Sequence, residues 1–544
     1  MLACVCVLGL AELNAAAAAS KQPNVLIITT DQQSVDAMSA VGNSWVKTPH
    51  MDSIAARGVY FTRSYCAFPL CSPSRSALHT GRAPHEIRVD RNTVPIDPAI
   101  PISGQVFRAA GYDTGYAGKW HMPDTYPTDG IAGYEVLNKT TRQGKLAHDV
   151  DEATMNAGIE FLKRKHDKPF LLVVSFINPH DICLPAGEDS PLLSDVWKKY
   201  QPAAGANTVP LPVNFAKTAG GLDNVQRPKN DTWDENQWKK YRYAYYRMVE
   251  DVDQQVGQVL AALRQTGQED NTAIIFTSDH GEGLGSHRWT GKMMFYDEEA
   301  AVPLIVSWKG VTPGGRIDRE HLVSTLDVLP TICDYAGIQA PPAMRGESLR
   351  AVIEKPEQPG HEFVVSEMAG GGAVRAGRSF MVRTKQYKYV FFPGAERTEM
   401  LFDMQADPGE MKNLAGEKAL AGQLECLRQF LAQWKQTTEE AKYPLQPVTQ
   451  TPKKRKKVAS RAVKKSYVKV TASFQDATEK FKPFLADLGD IQKVLSTDLT
   501  ASGVKGLRST VSDANWRFKA VNRTINDALE EMQKMETSLS SEAK

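Results

Sequence analysis

The chain of 544 residues lacks the features that would place it in several broad classes. Cysteine is scarce. The seven present, Cys4, Cys6, Cys66, Cys71, Cys183, Cys333 and Cys426, show no paired metal-type spacing and are too sparse for a disulfide scaffold. An excess of charge is missing: 65 Lys+Arg stand against 63 Asp+Glu, which argues against a nucleic-acid binder by composition. Long apolar runs are missing too. Leu2 to Ala11 is too short to span a bilayer, and no later segment is long and apolar enough. No lysine or arginine precedes that first run, so the basic front of an export signal is absent, while Ala15 to Ala19 suit signal cleavage. Residues 1–20 are therefore expected to be an export signal with a truncated front, giving a periplasmic or secreted protein. The alternative is a buried N-terminal helix.

What is present is enough apolar material for two or three cores, at 42% of residues. Four short runs are rich in β-branched residues: Val25–Thr29, Phe170–Val174, Thr272–Phe276 and Val302–Val306. They do not alternate polar and apolar, which predicts parallel strands buried on both faces. Helical patterns at Glu152–Lys165 and Trp238–Thr266 lie between them. The expected fold class is α/β, a mainly parallel sheet between helices over residues 21–356. Polar groups follow three of the strands: Asp31-Gln32, Asn178-Pro179-His180-Asp181 and Asp279-His280-Gly281-Glu282. Carboxyl ends of parallel strands converge where such folds bind ligands, so these clusters are expected to share one site.

Residues 357–442 change texture. Strand-like runs at Glu362–Glu367, Phe380–Arg383 and Tyr387–Phe392 are separated by glycine-containing or polar turns. Residues 443–466 read as a linker, with three prolines followed by Lys453-Lys454-Arg455-Lys456-Lys457. It is either a solvated spacer or an electrostatic tether for an anionic polymer or surface. Residues 467–544 step by three and four from Tyr467 to Leu495 and again from Val504 to Leu539. That seam predicts a coiled-coil-like helical hairpin that self-associates or docks on a partner.

The most specific stretch is Cys71-Ser72-Pro73-Ser74-Arg75, followed by Thr80-Gly81. It resembles the C-x-P-S-R-x-x-x-x-T-G signature of type I sulfatases, within the alkaline phosphatase-like superfamily. Gly118-Lys119-Trp120-His121 resembles the family's G-K-x-H element, Asp279-His280-Gly281 its D-N/H-G stretch, and His287 and Lys292 follow at the family's spacing. Leu401-Phe402-Asp403 to Leu414 resembles its C-terminal segment, a small antiparallel sheet closed by a helix. The resemblance spans Pro23 to Ala441.

The resemblance implies a sulfuric ester hydrolase whose Cys71 is converted to formylglycine by a maturation enzyme. It implies one divalent metal, with Ca²⁺ expected and Mg²⁺ or Mn²⁺ as alternatives, on Asp31, Gln32, Asp279, His280 and the modified Cys71. It implies Arg75 as holder of the formylglycine hydroxyl and a helix starting near Ser76 to Leu78. Lys119 and Lys292 become sulfate clamps, His121 assists the hydrate, His180 protonates the leaving alcohol, and His287 contacts substrate or stabilises its loop. The expected substrate is a sulfated small molecule or polysaccharide. Gln32 and His280 depart from the commoner residues and occur in phosphonate monoester hydrolases of the same superfamily. A phosphonate or phosphate ester hydrolase therefore stays open, as does an unmodified, inactive polyanion-binding protein.

Overall fold

The computed structural model describes residues 22–439 apart from 127–129, 139–141, 143, 188–189, 204–208, 216–228, 370–376 and 394–398, together with Lys469, Asp476, Pro483, Phe518 and Ala520. The chain divides into two compact units, Met1–Val448 and Thr449–Lys544. The expected signal segment and linker lie outside the described residues. So does the expected hairpin, apart from the five isolated residues, which are all helical.

The first unit is built on an eight-stranded sheet in the order β5-β4-β6-β1-β7-β8-β2-β9. Its strands are β1 (Asn24–Asp31), β2 (Gly58–Phe61), β4 (Asp113–Gly118), β5 (Glu135–Val136), β6 (Phe170–Pro179), β7 (Thr272–Ser278), β8 (Leu304–Ser307) and β9 (Arg316–Asp318). A two-residue β3 (Ser64–Tyr65) pairs separately with β10 (Val323–Ser324). β1 is the centre, parallel to β6 on one side and β7 on the other. Its side chains show why no polar alternation was needed. Val25 and Ile27 enter one core with Leu171, Val173 and Ile275; Leu26 and Ile28 enter the other with Leu172, Val174 and Ile274. The Val328–Ala336 helix covers the first face, and the Ala147–Lys163 and Glu235–Gln265 helices cover the second.

One of the four predicted parallel runs differs. β8 is antiparallel to both β7 and β2, so it alone runs against the rest of the sheet. A parallel neighbour needs a long crossover, usually a helix. The segment between β7 and β8 holds only Ser286–Arg288 and Asp297–Ala300 as short helical turns. An aliphatic run buried on both faces looks the same in either direction, so only the connection discriminates.

The remaining part is an antiparallel sheet of β11 (Val364–Met368), β12 (Ser379–Arg383), β13 (Tyr387–Phe391) and β14 (Glu399–Asp403). Leu424, Leu427 and Leu431 of the Ala421–Glu439 helix pack on one face with Val382, Tyr389 and Leu401. The small sheet closed by a helix is thus present. Among the described residues, no helix is long and apolar enough to cross a membrane.

Candidate active site

The polar ends of four parallel strands meet at one edge. Asp31 ends β1, Lys119 follows β4, His180 follows β6, and Asp279 and His280 follow β7. Two glycines permit this convergence. A Cβ on Gly118 (φ 98°) would sit 2.0 Å from the Ser175 carbonyl oxygen, and one on Gly281 would sit 1.9 Å from that of Glu298.

Into this edge points the Cys71–Thr80 helix. It begins five residues earlier than expected: Cys71 itself is its first residue, after extended Leu70. The thiol therefore lies at the positive end of a helix. It is fully buried. Its Sγ is 3.1 Å from Lys292 Nζ, 3.3 Å from His280 Nε2 and 3.8 Å from Asp31 Oδ1. His121 and His180 also lie beside it. Burial and Asp31 push the thiol up, but Lys119, Lys292 and His280 outweigh them and hold it well below the ordinary range.

Arg75, one turn along, stitches the carboxylates together. Four of its five N–H groups are engaged, by Asp279 Oδ2 at 2.9 Å, Asp31 Oδ2 at 2.8 Å, Ser175 Oγ at 2.8 Å and the Lys119 carbonyl at 3.1 Å. Lys119 Nζ is 2.5 Å from Asp31 Oδ2. Burial raises Asp31, yet Lys119, His180, Arg75 and Lys292 together carry it well below the carboxylate range. Burial and the neighbouring Asp31 instead push Asp279 up to about 6.

The donor set fits a divalent cation. One ligand atom each from Asp31, Cys71, Asp279 and His280 lie within 4.8 Å of one another, and all four residues are buried. Two carboxylates held side by side, one of them resisting ionisation, are what a cation would relieve. Gln32 joins them. Its backbone N–H donates to Asp279 Oδ1 at 3.0 Å, and its side-chain oxygen accepts from Lys292 Nζ at 3.2 Å.

His121 and His180 ring the thiol. His180 Nε2 is 4.0 Å from Asp31 Oδ1. In both histidines Nδ1 is buried with no hydrogen-bond partner. Burial, Lys119 and Lys292 push His180 down to about 3, and burial also lowers His121. His287 makes its contacts elsewhere: it stacks on Tyr296 with centroids 3.7 Å apart, and its Nε2 is 3.3 Å from Asn214 Nδ2. Those contacts suit a loop anchor better than a substrate contact.

Comparison with known proteins identifies the family. The sulfatase family model matches residues 23–338, and the model of the N-sulphoglucosamine sulphohydrolase C-terminal region matches residues 285–437. The chain belongs to the sulfatase family. A delta 4,5-hexuronate-2-O-sulfatase of Bacteroides thetaiotaomicron is 32% identical over 434 residues, covering 75% of this chain and 88% of the relative. A solved 2-O GAG sulfatase superposes with a TM-score of 0.67 at 28% identity, covering 77% of this chain and 93% of that one. A phosphonate monoester hydrolase of Agrobacterium radiobacter gives 0.64 at 25% identity, covering 76% and 96%. The protein is thus a hydrolase of the sulfatase class on an alkaline phosphatase-like fold.

Several residues of this sulfatase site carried no assignment from the sequence. Ser175 accepts from Arg75 and donates to the Lys119 carbonyl at 2.8 Å. Ser72 Oγ donates to the His121 carbonyl at 2.6 Å, and Ser74 Oγ to that of Asp279. Glu282 stands inside a quoted motif without a role. The signal available for each was only its place beside a motif residue.

Proposed function

We propose that the protein is an exported sulfuric ester hydrolase of carbohydrate sulfates, with Cys71 converted to formylglycine as its nucleophile. The observation that carries this reading is the surroundings of Cys71: a helix N-terminus, Lys292 at 3.1 Å and His280 at 3.3 Å from Sγ. Sγ here marks the position that an oxygen takes after conversion. Because the side chain is fully buried, a maturation enzyme has to meet this segment before the fold closes.

Asp31, Gln32, Asp279 and His280 are the residues proposed to hold a divalent metal, Ca²⁺ first among the hard cations that suit oxygen ligands. When bound, such an ion supplies Lewis-acid stabilisation of charge on oxygen. The chain's own groups do the rest. Lys119 and Lys292 neutralise the sulfate and hold sulfur facing position 71. Arg75 keeps both aspartates oriented and has one N–H to spare for the modified side chain. His180 donates a proton to the leaving alcohol oxygen. The cations that depress it in the free enzyme are those a bound sulfate anion offsets, so substrate raises its proton affinity. His121 accepts a proton at position 71 as sulfate departs.

The names of the relatives, a hexuronate 2-O-sulfatase and a 2-O GAG sulfatase, support a carbohydrate sulfate as substrate. Residues 467–544, expected from their apolar stepping to be helical, are proposed to serve self-association. A second reading, phosphonate or phosphate monoester hydrolysis, is favoured by His280 and by likeness to the Agrobacterium enzyme. Turnover of the sulfate and phosphate esters of one alcohol separates the two; faster phosphate turnover rejects the first. Intact-mass measurement of the Cys71 peptide tests the nucleophile. Replacement of the thiol by an aldehyde removes about 18 Da and its hydrate regains it, so the peptide is read after alkylation: a residue 71 that takes up iodoacetamide as a thiol in active enzyme rejects the assignment.

A further inference from the structure

Glu282 follows His280 by two residues and is fully buried. Its oxygens face only donors. Oε2 accepts from Gln32 Nε2 at 2.5 Å. Oε1 accepts from Tyr241 OH at 2.6 Å, Gly291 N at 2.6 Å and Leu284 N at 3.3 Å. None of these four is a cation. A buried carboxylate with no counter-charge is costly unless its lone pairs are used, and here they are. What the arrangement achieves lies one bond further on.

The two ends of an amide are chemically opposite: the NH₂ only donates and the oxygen only accepts. Glu282 is an acceptor, so the end of Gln32 that faces it is the NH₂. The oxygen must point the other way. There it accepts from Lys292 Nζ at 3.2 Å, and that ammonium is itself 3.1 Å from Cys71 Sγ. Reversing the amide would place donor against donor at Lys292 and acceptor against acceptor at Glu282. The orientation thus follows from both neighbours. The same carboxylate holds the N–H of Gly291, the residue that precedes Lys292. One side chain therefore orders a candidate metal ligand and the backbone beside the sulfate clamp.

We propose that Glu282 is a positioning residue of the metal centre: by holding Gln32 through its NH₂ group, it presents the Gln32 oxygen as a neutral ligand beside Asp31, Asp279 and His280. This rests on the metal reading of the site. A glutamine at position 282 could donate to the Gln32 oxygen as well as accept from its NH₂. The amide would then populate both orientations, and one of them turns hydrogens toward the cation.

The test is Ca²⁺ binding to the chelator-treated full chain, followed by calorimetry. Glu282→Gln is expected to raise Kd about 10–100-fold, as loss of a group that orients a metal ligand does. In a Gln32→Leu background the same substitution is expected to change Kd by less than about twofold, because the residue it acts through is gone. A merely structural Glu282 would weaken binding equally in both backgrounds, and that result overturns the proposal. So does a Glu282→Gln protein that binds as the wild type does. If Glu282→Gln fails to fold by circular dichroism, Glu282→Asp, which withdraws the carboxylate by one methylene, is read in the same way. A wild type that binds none of Ca²⁺, Mg²⁺ and Mn²⁺ overturns the metal reading and this inference with it.

Discussion

Two clusters of buried charge in this protein look alike in composition and differ in what they leave over. At the strand ends, Arg75, Lys119 and Lys292 gather around Asp31 and Asp279. Where β13 meets the loop before β8, Lys388 is fully buried against Asp297 at 2.5 Å and Glu410 at 2.8 Å, with Arg383 bonded to Tyr65 at 2.9 Å. In the second, Lys388 pairs directly with both carboxylates and Arg383 bonds to the Tyr65 hydroxyl and the Thr384 carbonyl, so each cation has its partner within the cluster. The first has three cations for two carboxylates, a thiol in their midst and two imidazoles with an unpartnered nitrogen. Burial and shifted proton affinities occur in both: Asp279 rises to about 6 and Glu410 to about 8, each because of burial and a neighbouring carboxylate. Cations gathered around one reactive side chain, rather than perturbation by itself, are what mark a candidate anion site.

The comparison fails if the two clusters respond alike to substitution. The largest loss of turnover is expected from Cys71→Ala, about 10⁴-fold or more, as for removal of a nucleophile. Hydrolysis of an aryl sulfate measures it, with circular dichroism as the control for folding, and near-wild-type activity would remove Cys71 from the mechanism. Lys292→Ala comes next, at about 10²–10³-fold in kcat, the range for losing one group that stabilises developing negative charge. A change confined to KM would make Lys292 a binding group only.

Lys388→Met addresses the closed cluster. It removes one partner of a buried, hydrogen-bonded pair, a loss of about 3–5 kcal/mol in stability. Urea denaturation reads this, and turnover at temperatures where the variant is folded is expected to stay within a few-fold of wild type. A deep fall in kcat with unchanged stability would mean that Lys388 acts on the Lys292 loop after all. The route exists, since its ammonium also donates to the Phe295 carbonyl at 2.9 Å.

The difference between the clusters also explains what was readable in the sequence. The candidate site was legible because its residues stand at strand ends or inside short motifs: Asp31, Lys119, His180, Asp279 and Cys71 each follow or head a recognisable element. The strands around them were legible as aliphatic runs. The direction of β8 was not, because identical burial on both faces hides polarity. The start of the Cys71–Thr80 helix was missed because Pro73 masks it, although proline suits a first helical turn. The Lys388 cluster was invisible. Asp297, Lys388 and Glu410 are far apart in sequence, and each alone reads as an exposed residue. Only the packing of β13 against the catalytic part brings them together.

The smallest expected effect lies in another closed pair, His361 with Asp327. His361 Nε2 is 3.0 Å from both carboxylate oxygens of Asp327. That carboxylate raises the imidazole to about 9, against the opposing effect of burial. Below about pH 6.5, the ordinary histidine value, His361 is charged in the folded and unfolded chains alike, and the pair contributes in full. Between there and about pH 9 the unfolded chain gives up its proton first, so stability falls as pH rises. Above that window both forms are neutral and the contribution is gone. The loss is at most about 3 kcal/mol. Urea midpoints at pH 6 and pH 9.5 for wild type and His361→Asn isolate it, since other titrating groups cancel in the difference. The expected result is a wild-type advantage that shrinks with pH while kcat of the two proteins stays parallel. An advantage independent of pH would show that the contact does not depend on charge. A pH-dependent difference in kcat would show that this fastening, unlike a closed pair, reaches the site around Cys71.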